Sequence, residues 1–119
     1  SVPQEWLAII NENGGDIKQT YGVPLEQIVE AIKYGVRKVN IDTDLRLAST
    51  GAIRRFLAKN PAEFDPRKYL KETITAMHDI CVQRYEAFGS AGQADKIHPM
   101  SLEKMTIRYS MGELNQYIN

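Results

Sequence analysis

Apolar residues recur along this chain mostly at three- and four-residue steps, so the pattern predicts helices almost throughout. Trp6, Leu7, Ile9 and Ile10 give the apolar side of a first helix. Ser1-Val2-Pro3 opens it, with proline in the first turn and Glu5 near the positive end. Asn13-Gly14-Gly15 stops it, and a loop follows through Tyr21-Gly22. A second helix begins near Pro24, with Leu25, Ile28, Val29 and Ile32 as a one-sided stripe and Gly35 just past its last turn. Residues 36–41 break the periodicity. They are short, rich in β-branched side chains and directly follow a glycine, so they read as the one clear strand. Asp42-Thr43-Asp44 offers cap chemistry for a third helix running to about Asn60-Pro61, with Leu45, Ala48, Ala52, Phe56 and Leu57 facing inward. Asp65-Pro66 caps the longest helix, whose stripe is Leu70, Ile74, Met77, Cys81, Tyr85 and Phe88. Gly89-Ser90-Ala91-Gly92 ends it. After a break at His98-Pro99, Ser101 caps a last helix from residue 102 to about 118, interrupted near Gly112.

A lone strand cannot satisfy its own backbone groups. Helix, strand and helix in succession therefore point to a slice of a parallel α/β structure, since parallel strands are joined by crossover helices. The orphan strand, and a chain that opens on Ser1 without methionine, lead us to expect further sequence upstream.

Composition narrows the function classes. In 119 residues, fifteen Lys plus Arg balance fifteen Asp plus Glu, which gives no electrostatic reason to expect nucleic acid or an anionic membrane as partner. The single cysteine, Cys81, excludes an internal disulfide and favours a reducing compartment. The longest uncharged stretches fall far short of the roughly 20 apolar residues of a membrane helix, and no secretory signal opens the chain. A cytoplasmic protein is the expectation.

The richest chemistry lies in Asn40-Ile41-Asp42-Thr43-Asp44-Leu45-Arg46, where a strand's carboxyl end would pass into a helix. Ligands bind at that edge in parallel α/β folds, and the free N–H groups of the following helix favour anions. Asn40 donates and accepts, Thr43 brings a hydroxyl and a backbone N–H, and Arg46 brings a planar fork suited to phosphate or carboxylate. Arg46 in the first turn also opposes the helix dipole, a conflict an anionic ligand would remove. The same residues equally read as an Asp-rich cap with Arg46 paired to Asp42 or to a distant glutamate, and the residues alone leave both readings open.

Other candidates carry less. His78 and His98 show no HxxxH or HxH spacing, so they make no metal motif. Cys81 on an apolar stripe reads as an inert thiol. Arg54, Arg55 and Lys59 read as a solvated basic face in the absence of interleaved aromatics. Arg84 occupies a position among apolar residues, from which it can reach a carboxylate or a substrate.

Three stretches carry a resemblance: residues 35–46 with Asn40-Ile41-Asp42-Thr43-Asp44, then Asp65-Pro66-Arg67-Lys68-Tyr69, then residues 84–92. Together they resemble the C-terminal part of class II fructose-1,6-bisphosphate aldolases, most closely the bacterial type that serves both glycolysis and the Calvin cycle. The resemblance covers nearly the whole chain. It implies a zinc-dependent (β/α)8 TIM barrel, with residues 1–60 as its last helices and final strand. Residues 61–119 would form a helical C-terminal extension that makes homo-oligomer contacts. It also implies that Asn40 contacts the dihydroxyacetone phosphate portion and helps hold its enediolate. Asp42 and Thr43 would line the ketose phosphate pocket, and Arg46 would hold the phosphate at the other end. The zinc histidines and the general-acid aspartate of the family would lie upstream, since neither His78 nor His98 matches a ligand position. The 119 residues alone are therefore expected to be inactive. A tagatose-bisphosphate aldolase would share these motifs, and a non-catalytic helical interaction domain would explain the helices but not Asn40 to Arg46.

Overall fold

A computed structural model of the chain describes residues 1–113. Five α-helices follow one another: α1 (Gln4–Glu12), α2 (Leu25–Lys33), α3 (Thr43–Lys59), α4 (Pro66–Ala87) and α5 (Leu102–Ser110), with a 3-10 turn at Ala94–Lys96 between the last two. Most ends lie where the sequence places them. Asp65 caps α4 by accepting from the Arg67 N–H at 3.0 Å, and Ser101 caps α5 by accepting from the Lys104 N–H at 3.2 Å. Beyond α2, Val36 N–H bonds Ala31 O and Gly35 N–H bonds Ile32 O, both at 3.2 Å. That pair of bonds needs a left-handed residue between them, which Gly35 supplies at φ 112°. Pro3 sits at the cap of α1 rather than inside its first turn. Helix α5 stops at Ser110, close to the interruption expected near Gly112, and the expected continuation from residue 114 to about 118 lies outside the described residues.

Two expectations are overturned. No strand forms among the described residues, so the α/β barrel slice with a strand at 36–41 is not what the chain adopts; the described elements are helices joined by irregular segments. The physical reason lies in the backbone: a β-ladder takes both partners, and no other described segment runs alongside 36–41 to exchange hydrogen bonds with it. The β-branched side chains favour extension, but they cannot supply a neighbour.

The second correction concerns the inner face of α4. Its buried residues are Thr73, Ala76, Ile80 and Arg84, while Leu70, Ile74 and Tyr85 of the expected stripe are exposed. Helix α3 presents small residues, burying Ala48, Gly51 and Ala52, and small residues on α4 let the two axes come close. The cluster at this seam is correspondingly lean: Trp6, Ala48, Ala52, Ala76 and Ile80, with Ile9, Leu45 and Leu47 packed against it, while Leu7, Ile10 and Ile28 are buried outside it. Helix α3 is its hub, contacting α4 on one side and α1 on the other. Leu45 and Phe56, both expected inside, are only half-buried.

Such a core does not gather the chain into a ball. The radius of gyration is 20.1 Å over extents of 63 × 32 × 27 Å, against about 13–14 Å for a compact domain of this length.

Trp6 is the largest core side chain. Its ring lies against α3, and the Arg55 guanidinium stands 5.3 Å from its centroid. A Cβ built on Gly51 would stand 2.7 Å from Trp6 Cε3. Alanine at an uncovered helix glycine gains about 1 kcal/mol. Here the clash reverses the sign, so Gly51→Ala is expected to cost about 1–3 kcal/mol through overpacking. Urea denaturation of the whole protein measures it; a gain in stability would show that Trp6 yields without penalty.

Candidate functional site

The start of α3 collects the chemistry. The irregular residues 36–41 lead from the Gly35 turn into this helix, and Asn40, Asp42, Thr43 and Arg46 lie exposed around its first turn. Asp42 stands at the cap position, yet its side chain makes no capping hydrogen bond to the helix N–H groups. The first intrahelical bond runs from the Arg46 N–H to the Asp42 carbonyl at 3.0 Å. The N–H groups of Thr43, Asp44 and Leu45 precede that bond and point out of the helix end, where an anion is favoured.

Of the two readings of Arg46, the structure holds the pairing one. Arg46 Nε donates to Asp42 Oδ1 at 3.0 Å, and its terminal nitrogen lies 2.9 Å from Oδ2. Both side chains are largely exposed, at 77% and 66%. An exposed i,i+4 pair is worth only about 0.3–0.5 kcal/mol, far less than a charge-assisted bond to phosphate. The pair keeps the guanidinium oriented at the helix end without committing it. Asn40 is engaged equally lightly, its Oδ1 accepting from Lys38 Nζ at 2.7 Å. Lys38 brings a second cation to this end, and sequence reasoning gave it no role.

Behind the exposed turn lies a buried ion pair. Asp44 is 1% exposed and Arg84 8%. Arg84 Nε and Nη2 both donate to Asp44 Oδ2, at 3.0 and 2.6 Å, and the Ser1 hydroxyl donates to the same oxygen. Burial alone would push the Asp44 carboxyl up; the hydrogen bonds from Ser1 and Arg84, with the neighbouring positive charge, more than offset it and hold the carboxyl below its ordinary value. No buried side-chain nitrogen or oxygen among the described residues lacks a partner. Sequence reading marked Arg84 but treated Asp44 only as cap chemistry. The available signal was the spacing of Thr73, Ala76, Ile80 and Arg84, a stripe with one large apolar residue and therefore outweighed by the more apolar one beside it.

That larger stripe borders an open groove of about 570 Å³ between α3, α4 and residues 36–41, where Cys81, Tyr85 and Phe88 meet Val36, Ile41 and Leu45. Cys81 is half-buried there. Arg54 and Arg55, expected as a solvated face, are half-buried against α1: Arg54 reaches the Asn13 carbonyl at 3.5 Å and Arg55 covers Trp6.

Among the described residues no three His, Cys, Asp or Glu side chains gather as a metal site. His78 is exposed and meets only Asp79, at 3.2 Å, and His98 is exposed as well. The described residues do not fit a zinc ion. No described helix is long and apolar enough to cross a membrane.

Comparison with known proteins gives the family of the chain. The family profile "Fructose-bisphosphate aldolase class-II" matches residues 18–93, spanning α2, α3, α4 and the exposed turn. Curated fructose-bisphosphate aldolases of Pseudomonas aeruginosa and Stutzerimonas stutzeri are each 74% identical over all 119 residues, and that of Xanthobacter flavus is 58% identical over the same span. The chain belongs to the class II fructose-bisphosphate aldolase family. It spans about a third (34%) of the length of these relatives.

The Asp44–Arg84 pair makes acid stability a direct readout of this geometry. Because the folded carboxyl titrates below its unfolded value, its contribution is complete above about pH 4 and is lost as pH falls through the lower folded value. Arg84→Met is expected to cost about 3–5 kcal/mol at neutral pH by stranding a buried charge. The double variant Asp44→Asn, Arg84→Met should recover much of this and show a flatter acid limb. Thermal unfolding of the whole protein from pH 3 to 7 measures both, and identical acid limbs in wild type and double variant would contradict the assignment.

Proposed function

We propose that the whole protein reversibly cleaves fructose 1,6-bisphosphate to dihydroxyacetone phosphate and glyceraldehyde 3-phosphate, and that this chain supplies the phosphate- and ketose-binding wall. The observation that carries the reading is the uncapped start of the 17-residue helix α3, with Arg46 beside it in a weak exposed pair. Thr43 offers its N–H and hydroxyl to the ketose phosphate, and Asp42, freed from Arg46, takes a substrate hydroxyl as acceptor. Arg46 closes a two-pronged grip on the second phosphate. The Asn40 amide both donates and accepts, which suits the enediolate form of the ketose half. The reaction is zinc-dependent on this reading, with the ligands supplied by residues outside this chain, and it takes place in the cytoplasm.

The outer face of α4, where Leu70, Ile74 and Tyr85 are exposed, is the contact between copies of the protein. Ile74→Arg should lower the particle mass in light scattering; an unchanged mass would place the contact elsewhere.

Removing one charge-assisted phosphate contact forfeits about 1.5–3 kcal/mol. Arg46→Ala in the whole protein should therefore lower kcat/KM for fructose 1,6-bisphosphate by roughly 10- to 150-fold, mostly through KM. The same assay on the 119-residue chain with zinc added should give no turnover. Full activity in Arg46→Ala would remove Arg46 from the site, and faster turnover of the tagatose epimer would reassign the substrate.

A further inference from the structure

The buried pair and the exposed turn occupy the same first turn of α3, on opposite sides of one backbone. Asp44 follows Thr43 directly, and its charge lies inside the helix end that would receive a phosphate. A carboxylate in a first turn suits the helix dipole, but it repels a second anion at the same helix end. Like charges at one helix end repel even at the effective dielectric of a protein surface. Something must cancel that charge if the turn is to accept phosphate. Two described cations stand against it, the Ser1 amino group at 3.5 Å from Oδ1 and Arg84; Arg84 is the side chain among them, both its donating nitrogens converge on Asp44 Oδ2, and the pair is shielded from water. It comes from the far end of α4, 40 residues away in sequence. The partner therefore depends on the docking of α4 against α3 and not on the local sequence.

We propose that Arg84 is a positioning residue for phosphate binding: by cancelling the Asp44 charge within the first turn of α3, it keeps that helix end positive and its N–H groups fixed. The inference rests on the phosphate reading above and adds to it the group that makes the turn receptive. It also gives the buried Asp44–Arg84 pair a role besides stability. Well-packed apolar residues of similar volume often match or exceed such a pair in stability, so stability alone gives little reason to keep it.

The test uses the whole protein and inorganic phosphate as probe, with binding followed by calorimetry and KM for the bisphosphate measured in parallel. Far-ultraviolet circular dichroism checks that each variant is folded. Arg84→Met should weaken phosphate binding about tenfold or more by leaving the Asp44 charge without its guanidinium, with the loss in KM rather than in kcat. Asp44→Asn, with Arg84 retained, should bind phosphate at least as tightly as the wild type, an outcome opposite in sign to structural damage. The double variant should return to within about threefold of the wild type, since it restores neutrality without the pair. A folded double variant as weak as Arg84→Met, or weakened binding in Asp44→Asn, would overturn the proposal and leave the pair a matter of packing. Thr43→Ala separates the two ideas, because it removes a phosphate contact and leaves the pair untouched. Unchanged affinity in Thr43→Ala together with an unaffected Arg84→Met would reject the phosphate reading itself. A loss in Thr43→Ala with no effect in Arg84→Met would reject only the role of Arg84.

Discussion

Close approach of α3 and α4 is the constraint on which the rest of this structure depends. Ala48, Gly51 and Ala52 on one helix and Thr73 and Ala76 on the other remove the side-chain bulk that would hold the axes apart. Trp6 then covers the seam from the α1 side, filling the space that Gly51 leaves open. Only at that separation can Arg84, in the last turn of α4, reach Asp44 in the first turn of α3. Packing and electrostatics are therefore coupled here. A larger residue in the seam would both disturb the core and pull the guanidinium away from the carboxylate.

The same constraint explains what stays uncovered. A seam of small residues buries little apolar area per residue, and burial is what stabilises a helix pair in water. The large apolar residues of α4 point elsewhere, toward solvent and toward the groove beside residues 36–41. The elongated shape follows from this, because among the described residues no second layer folds back over those faces.

The proposed binding site sits where a helix packed by two neighbours meets an irregular segment. Helix α3 is anchored along its length by two neighbours, whereas Asn40, Asp42 and Arg46 sit on its exposed end and hold only short-range partners. Such a division suits a binding site, since donors must be preorganised while their interim partners must be easily displaced. Asp42 and Arg46 satisfy each other weakly enough to exchange for a ligand. Asp44 and Arg84, buried a turn away, do not.

By itself, the sequence determined the local features: the caps at Asp65 and Ser101, the glycine turn after α2, the extent of α1 to α4, and the gathering of exposed polar residues from Asn40 to Arg46 at the start of α3. These depend on residues within a few positions of one another, so propensity and spacing suffice to find them. The resemblance carried by Asn40 to Asp44 gave the family on the same local basis. Tertiary structure decided the rest. The face that α4 buries was set by the shape of α3 and not by where the largest apolar residues recur. Residues 36–41 had the composition of a strand but no partner to bond with among the described residues, and a ladder is a property of two segments. Asp44 read as one more cap residue until α4 brought Arg84 against it from 40 positions away, because burial and charge pairing are set by what lies near in space.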